Sequence, residues 1–135
     1  MKRAAPGAAP RRLAKGDYTT LAEFRYLLRQ FGAFSEDAAR DAGLTAQQHQ
    51  ALLAIKGFPG REAATHSVVG LVDRLAARGL IHREHDKTDR RRVMILLTPK
   101  AETLLLGLSL AHRDELRRLA PLLRELLEKV EGAGE

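Results

Sequence analysis

The sequence predicts a mainly α-helical protein with one small β-hairpin, folded as a single domain. Between residues 66 and 103 the hydrophobic periodicity changes from that of a helix to that of two short strands and back again. Leucine-rich stretches with helical period lie on both sides of this segment. A length of 135 residues suits one domain with a modest core, and a helical protein of this size commonly completes its core by dimerising.

The net charge of +6 arises at the N-terminus. Residues 1–17 hold five basic residues before the first acid, Asp17, and no apolar run, which predicts a disordered basic arm. From Asp17 onwards the chain has 18 basic and 17 acidic residues, so it is nearly neutral. Total charge therefore does not predict a nucleic-acid partner; only the placement of the charges can do so.

Two helical segments follow the arm. The first begins at Tyr18 and has the apolar stripe Leu21, Phe24, Leu27, Leu28 and Phe31. Gly32 predicts an interruption, after which Ser35 resembles the N-cap of a short helical extension over residues 36–41. Thr45 and Gln48 have the spacing of a capping box and predict a second helix that ends at Gly57.

A third helix has one apolar and one polar side. Its apolar stripe is Val68, Leu71, Val72 and Leu75, whereas Ser67, Gly70, Arg74 and Arg78 lie on the other side. A surface made of a hydroxyl, a glycine and arginines can closely approach a polyanion. Gly79 is placed as a left-handed C-cap, so the helix is predicted to end near Arg78.

The hairpin is predicted from residues 80–85 and 92–98, which are rich in strand-forming residues and flank the turn 86–89. Its tip carries Lys87, Arg90, Arg91 and Arg92, and Asp89 is placed to orient one of the arginines. Such charges can simply keep a strand edge from aggregating. Because this hairpin directly follows a helix with a basic surface, contact with a nucleic acid is the favoured interpretation.

The C-terminal third is predicted to be helical. Thr98 and Pro99 provide an N-cap and a first-turn proline, and Pro121 is expected to break or kink the helix. Leucines near both ends of the chain predict that the N- and C-terminal helices bury each other across a dimer interface. A coiled-coil structural protein is disfavoured, since the repeats are short and broken by Pro121.

These segments resemble the MarR family of winged helix-turn-helix transcriptional regulators. The resemblance spans roughly residues 18–130, and its most specific part is the D-x-x-D-R-R motif that starts at Asp86. It implies a winged helix-turn-helix fold in which residues 44–98 form a DNA-binding lobe. Residues 18–43 and 99–131 would be dimerisation helices within a single domain over residues 18–135.

The resemblance also implies a function and a set of site residues. A homodimer would bind a palindromic operator in double-stranded DNA, with one helix in each major groove and the hairpin, or wing, in the minor groove. His66 and Ser67 would contact base edges, Arg74 a base or a phosphate, and Arg78 a phosphate, while Asp89 would orient Arg90 or Arg91. The expected DNA-binding residues are Thr65, His66, Ser67, Gly70, Arg74, Arg78, Lys87, Asp89, Arg90, Arg91 and Arg92.

The family's regulatory ligand, often a small aromatic or phenolic acid, would lie between the dimerisation helices and the DNA-binding lobe. The aromatic residues that could line such a pocket are Phe24, Phe31, Phe34 and Phe58. Aromatic residues at helical spacing are more often part of a core, and no pattern in the sequence names a molecule.

One segment departs from the family. Nine residues, 57–65, separate the second helix from the third, too few for a loop, the bracing helix of a helix-turn-helix and a turn. A natural deletion, an engineered deletion, or residues missing from the sequence would each explain this. If the brace is truly absent, the competing hypothesis is a helical dimerisation or protein-interaction module without specific DNA binding.

Other chemistry has little support in the sequence. No H-E-x-x-H, glycine-rich phosphate loop or G-x-S-x-G motif is present, so we expect neither an enzyme nor a cofactor. His82 and His85 would point to opposite faces of a strand, His112 forms only one helical pair with Glu115, and His49 is expected to be packed, so no metal site is predicted. Without cysteine, a signal peptide or a membrane-length apolar stretch, the default expectation is a cytoplasmic protein without membrane contact.

Overall fold

The computed structural model describes residues 11–58 and 69–132. In this part of the chain lie the helices α1 (Lys15–Asp41), α2 (Ala46–Gly57), α3 (Val69–Ala77) and α4 (Pro99–Gly132) and the strands β1 (Ile81–His85) and β2 (Val93–Leu97). The predicted class, mainly α-helical with one hairpin, is confirmed. None of the described helices has an apolar stretch long enough to cross a membrane.

Helix α1 is longer and more continuous than predicted. It begins at Lys15, where the Asp17 carboxylate accepts a hydrogen bond from the Ala14 N–H at 2.9 Å, so the last three residues of the predicted arm are helical. The predicted interruption at Gly32 and N-cap at Ser35 are wrong, since the helix runs through both to Asp41. Packing of α1 on its neighbours on both sides of Gly32 outweighs the roughly 1 kcal/mol that a helical glycine costs.

Glycine turns end α1 and α3 in the same way. Gly43 and Gly79 have φ of 81° and 71°, a conformation that glycine adopts without strain. In each turn the following leucine N–H donates back into the last helical turn: Leu44 N–H to the Ala39 carbonyl at 2.8 Å, and Leu80 N–H to the Leu75 carbonyl at 3.0 Å. The prediction for Gly79 is confirmed.

Helix α2 begins at the predicted capping box. The Thr45 hydroxyl accepts from the Gln48 N–H at 3.1 Å, and the Gln48 side-chain oxygen accepts from the Thr45 N–H at 3.0 Å. The helix ends at Gly57, as predicted.

The hairpin pairs β1 and β2 antiparallel, with Ile81 opposite Leu97 and His85 opposite Val93. Thr98 connects it to α4, because its hydroxyl donates to the Gly79 carbonyl at 2.7 Å and accepts from the Ala101 N–H at 3.3 Å. The predicted N-cap of α4 is therefore confirmed.

Helix α4 is not broken at Pro121, which lies inside it. Beyond the proline, Leu126 still packs with Leu119 and with Leu27 of α1 in a small buried cluster. These tertiary contacts offset the loss of one backbone hydrogen bond.

The main core lies where α2, α3 and the hairpin meet the first half of α4. Leu52, Leu75 and Leu80 are its largest fully buried side chains. Helices α1 and α4 pack on each other within one chain, so part of the leucine-rich surface expected at a dimer interface is already covered. Many other large apolar side chains of these two helices are exposed: Tyr18, Leu21, Phe24, Tyr26, Leu28, Leu106, Leu110, Leu116, Leu122, Leu127 and Val130.

Candidate nucleic-acid interface

Helix α3 has the predicted division into two sides. Val72 and Leu75 are buried in the core, while Gly70 and Arg74 are exposed. A Cβ atom added at Gly70 would lie 3.7 Å from an Arg74 guanidinium nitrogen, so the Arg74 side chain extends along the helix over Gly70. That distance is ordinary van der Waals contact, so an alanine at this position would also fit beside Arg74.

Arg78 is bound to α2. Its guanidinium donates a hydrogen bond at 2.9 Å to the side-chain oxygen of Gln48, which is 8% exposed. A Cβ added at Gly43 would lie 3.8 Å from the same guanidinium, so Arg78 spans the junction of the α1–α2 turn with the end of α3. Sequence reasoning assigned Gln48 only to a capping box and missed this contact.

An ion pair joins α3 to the hairpin. The Arg83 guanidinium on β1 lies 2.5 Å from the Asp73 carboxylate on α3, and both side chains are partly exposed. At this exposure the pair contributes little to stability, and it leaves Gly70 and Arg74 uncovered.

Asp86 organises the first half of the hairpin loop. Its carboxylate accepts from the Thr88 N–H at 2.9 Å and from the Thr88 hydroxyl at 2.8 Å. These bonds, the backbone one first, hold the pKa of Asp86 below its usual range, with a smaller contribution from the Arg92 charge. The loop therefore closes around an ionised carboxylate.

Asp89 organises the second half of the loop. Its carboxylate accepts from the Arg91 N–H at 3.0 Å and from the Arg91 side-chain Nε at 3.4 Å. Of the two arginines predicted as its partner, the structure pairs Asp89 with Arg91, while the Arg90 carbonyl bonds to the His85 ring at 3.0 Å. The Arg91 side chain nevertheless remains 94% exposed.

Lys87, Arg90 and Arg92 are also exposed on the same loop. Thr65, His66 and Ser67 fall on residues 59–68 and lie outside the described residues. So does most of the segment in which the bracing helix was expected.

The family resemblance implies a ligand pocket between the dimerisation helices and the DNA-binding lobe, and the corresponding region lies between α1, α2 and α4. A groove of about 490 Å³ has Phe31, His49 and His112 among its lining residues. The rings of Phe31 and Phe34 pack edge-on against His112, with centroids 5.8 and 5.3 Å away. Of the four aromatic residues proposed for a pocket, Phe24 and Phe58 are instead exposed.

No family model matches the sequence, and no curated protein matches it. Several solved structures share its fold. AbsC, a MarR family transcriptional regulator from Streptomyces coelicolor, is 18% identical with a TM-score of 0.63, over 91% of this chain and 99% of the other. A MepR variant from S. aureus bound to an oligodeoxyribonucleotide is also 18% identical with a TM-score of 0.63, over 87% and 98% of the two chains.

A more similar sequence is that of a probable transcriptional regulator from Pseudomonas aeruginosa. It is 31% identical with a TM-score of 0.51, and the match covers 79% of this chain and 96% of the other. The chain belongs to a family of transcriptional regulators with the MarR fold. In this MarR-fold regulator, α3 is the candidate recognition helix and the β1–β2 hairpin is the wing.

Proposed function

We propose that this chain is a DNA-binding transcriptional regulator that binds a palindromic operator as a homodimer. The observation that carries the proposal is the arrangement of α3 and the wing: Gly70 and Arg74 are exposed on one side of the helix, and the arginine-rich loop follows at the end of the hairpin. An α-helix fits the major groove, and arginines of the loop fit the adjacent minor groove or its phosphates.

The charge distribution supports DNA rather than an acidic protein as the partner. Outside the N-terminal arm the chain is nearly neutral, yet four basic residues lie within six positions of the wing loop, 87–92. Asp86 and Asp89 bond to the loop itself, so their charges organise it. A local cluster of this kind contacts phosphates and gives binding that weakens steeply with salt.

The exposed apolar surface supports a homodimer. Leu122, Leu127 and Val130 near the C-terminus and Tyr18 and Leu21 near the N-terminus are about half exposed, at 46–62%. Contiguous apolar surface of this kind commonly marks an interface. Two-fold pairing through these helices would set two copies of α3 against two half-sites of a palindrome.

The α1–α2–α4 groove is the proposed site of a small aromatic regulatory ligand. Its lining is mostly apolar, with Phe31 and Leu53 beside Ser35, His49 and Arg113. A ring would contact the apolar side chains, and an acid group would reach the Arg113 guanidinium. The groove is lined by α1 and α4 and by α2, so a ligand bound there would alter the packing of the DNA-binding lobe on the two long helices.

The experiment that tests the DNA proposal is selection of duplexes from a pool with a randomised centre, using the purified full chain. The expected result is enrichment of a palindrome whose half-sites lie about one helical turn, roughly 34–36 Å, apart. Failure to enrich any sequence, with a dimer still seen by light scattering, would favour the alternative of a dimerisation module without specific DNA binding.

A further inference from the structure

Two histidine rings from different helices face each other in the interior. His49 on α2 is 3% exposed, and its ring centroid lies 4.7 Å from that of His112 on α4, with 44° between the ring planes. Helix α2 belongs to the lobe that carries α3 and the wing, while α4 pairs with α1. The contact therefore lies at the junction between the lobe and the long helices.

His112 can carry a proton without losing a hydrogen bond. Its Nδ1 lies 2.6 Å from the Leu108 carbonyl, an acceptor only, so Nδ1 carries the hydrogen. Its Nε2 lies 2.7 Å from the Ser35 hydroxyl, which donates to a neutral imidazole and accepts from a charged one. Ser35 thus fits both states of His112.

His49, in contrast, cannot satisfy both ring nitrogens when it is charged. Its Nδ1 is buried and has no hydrogen-bond partner among the described residues. A charged imidazole must donate from both nitrogens, and an unpaired buried donor is costly. Burial first, and the nearby His112 second, lower the pKa of His49 below its ordinary value.

Few other charges face the pair. Glu36 from α1 and Arg113 from α4 line the same groove, and the remaining residues contributed to it by α2 are Ala46, Gln50 and Leu53. One acid and one base of opposite sign contribute little net charge, and no side chain of the described part bonds to His49 Nδ1. In the described part of the chain, no charged side chain is hydrogen-bonded to His112 or to Nδ1 of His49.

We propose that the His49–His112 contact is a pH-sensitive joint between the α2–α3–wing lobe and the α1–α4 helices, which loosens when both rings become charged. The effect on DNA affinity rests on the proposed function above; the effect on the fold does not. The folded state disfavours the charged form of His49. Its contribution to the stability of the fold is therefore fully present above the unfolded-state pKa of histidine, about 6.5, and is lost as the pH falls below that value.

The first test uses the full chain without DNA. Urea unfolding is measured for the wild type, for His49→Gln, which cannot titrate, and for His82→Gln, an exposed-histidine control, at about pH 7.5 and about pH 5.5, on either side of the ordinary histidine pKa. We expect acidification to lower the urea midpoint of the wild type and of His82→Gln more than that of His49→Gln. Equal losses in all three proteins would overturn the proposal.

A second measurement follows the histidine rings directly, and its first part uses the wild type alone. NMR titration of the ring resonances in the wild type is expected to give His49 a midpoint below about 6.5, and His112→Gln is expected to raise that midpoint. A wild-type midpoint at or above the ordinary value would contradict the joint.

The third test measures regulation with the selected duplex. The affinity for this duplex is measured for the wild type and for His49→Gln at both pH values, and each protein is compared with itself. We expect the wild-type affinity to fall at least about fivefold on acidification, which is the lower end of the coupling usually seen between two sites. Protonation of exposed wing histidines would strengthen DNA binding instead, so the sign separates the two effects. An equal change of affinity in His49→Gln would exclude the joint. Absence of specific DNA binding at either pH would refute the proposed function, and the first two tests would then decide whether the joint exists.

Discussion

The guanidinium of Arg78, just beyond the end of α3, donates a hydrogen bond at 2.9 Å to the side-chain oxygen of Gln48 in the first turn of α2. The same oxygen accepts from the Thr45 N–H, so one buried amide both caps α2 and holds the end of α3. This contact ties the candidate recognition helix to the rest of the lobe within the described residues.

Substitution Arg78→Ala is expected to lower the free energy of unfolding by about 1 kcal/mol, since one charge-assisted hydrogen bond is lost at a partly exposed site while Gln48 keeps its backbone donor. Urea unfolding measures this loss. If Arg78 instead acts mainly as a phosphate contact, Arg78→Ala will leave stability unchanged and reduce the salt dependence of DNA binding by about one phosphate's worth.

Gly79→Ala should destabilise the protein by about 1 kcal/mol, because φ of 71° places a Cβ in a strained conformation. Gly107→Ala is the matched control: Gly107 lies inside α4 and nothing lies within 4 Å of the added Cβ. We expect that control to be neutral or stabilising by up to about 1 kcal/mol. Thermal or urea unfolding compares the two, and equal effects would contradict the role of the left-handed turn.

Arg91→Ala should weaken binding to the selected duplex and flatten its salt dependence by about one phosphate contact, since Arg91 is 94% exposed on the wing. Fluorescence polarisation over a salt series measures both quantities. Arg124→Ala, which removes the same charge from an exposed position on the C-terminal part of α4, is the matched control. An unchanged affinity and slope for Arg91→Ala would remove the wing from DNA binding.

Asp89→Ala tests whether the orientation of Arg91 matters as well as its charge. The substitution removes a negative charge, which alone would strengthen binding to DNA. It also removes the carboxylate that bonds to the Arg91 N–H and Nε. We expect the ratio of the affinity for the selected duplex to the affinity for random DNA to fall in Asp89→Ala. If both affinities instead rise by the same factor, only the charge of the loop matters and the orientation of Arg91 does not.

Thr88→Val should raise the pKa of Asp86 only partway towards its usual range, because the hydroxyl bond is lost and the stronger backbone bond remains. The folded pKa of Asp86 is depressed, so its contribution to stability is present above the unfolded pKa and is lost as pH falls through the folded value. Titration of the carboxyl carbon by NMR measures the shift, and Thr88→Ser, which keeps a hydroxyl, should leave it unchanged.

Local chemistry in the sequence was sufficient to predict several elements. The Thr45–Gln48 capping box, the Gly79 turn and the Thr98 cap involve residues three to five positions apart, so their bonds follow from spacing alone. The interruption expected at Gly32 and the break expected at Pro121 are absent for the opposite reason. Both residues are unfavourable inside an isolated helix, but packing between α1 and α4 determines whether these helices continue.

The sequence by itself determined the order of the helices and the hairpin, the two sides of α3 and the basic loop that follows it, because periodicity and short-range hydrogen bonding act within a few residues. Only the tertiary structure decided that Arg78 binds Gln48 and that His49 lies against His112. Those pairs join residues far apart in the chain. An imidazole nitrogen without a hydrogen bond, such as Nδ1 of His49 among the described residues, is costly only when it is buried, and it becomes buried only after the helices have packed.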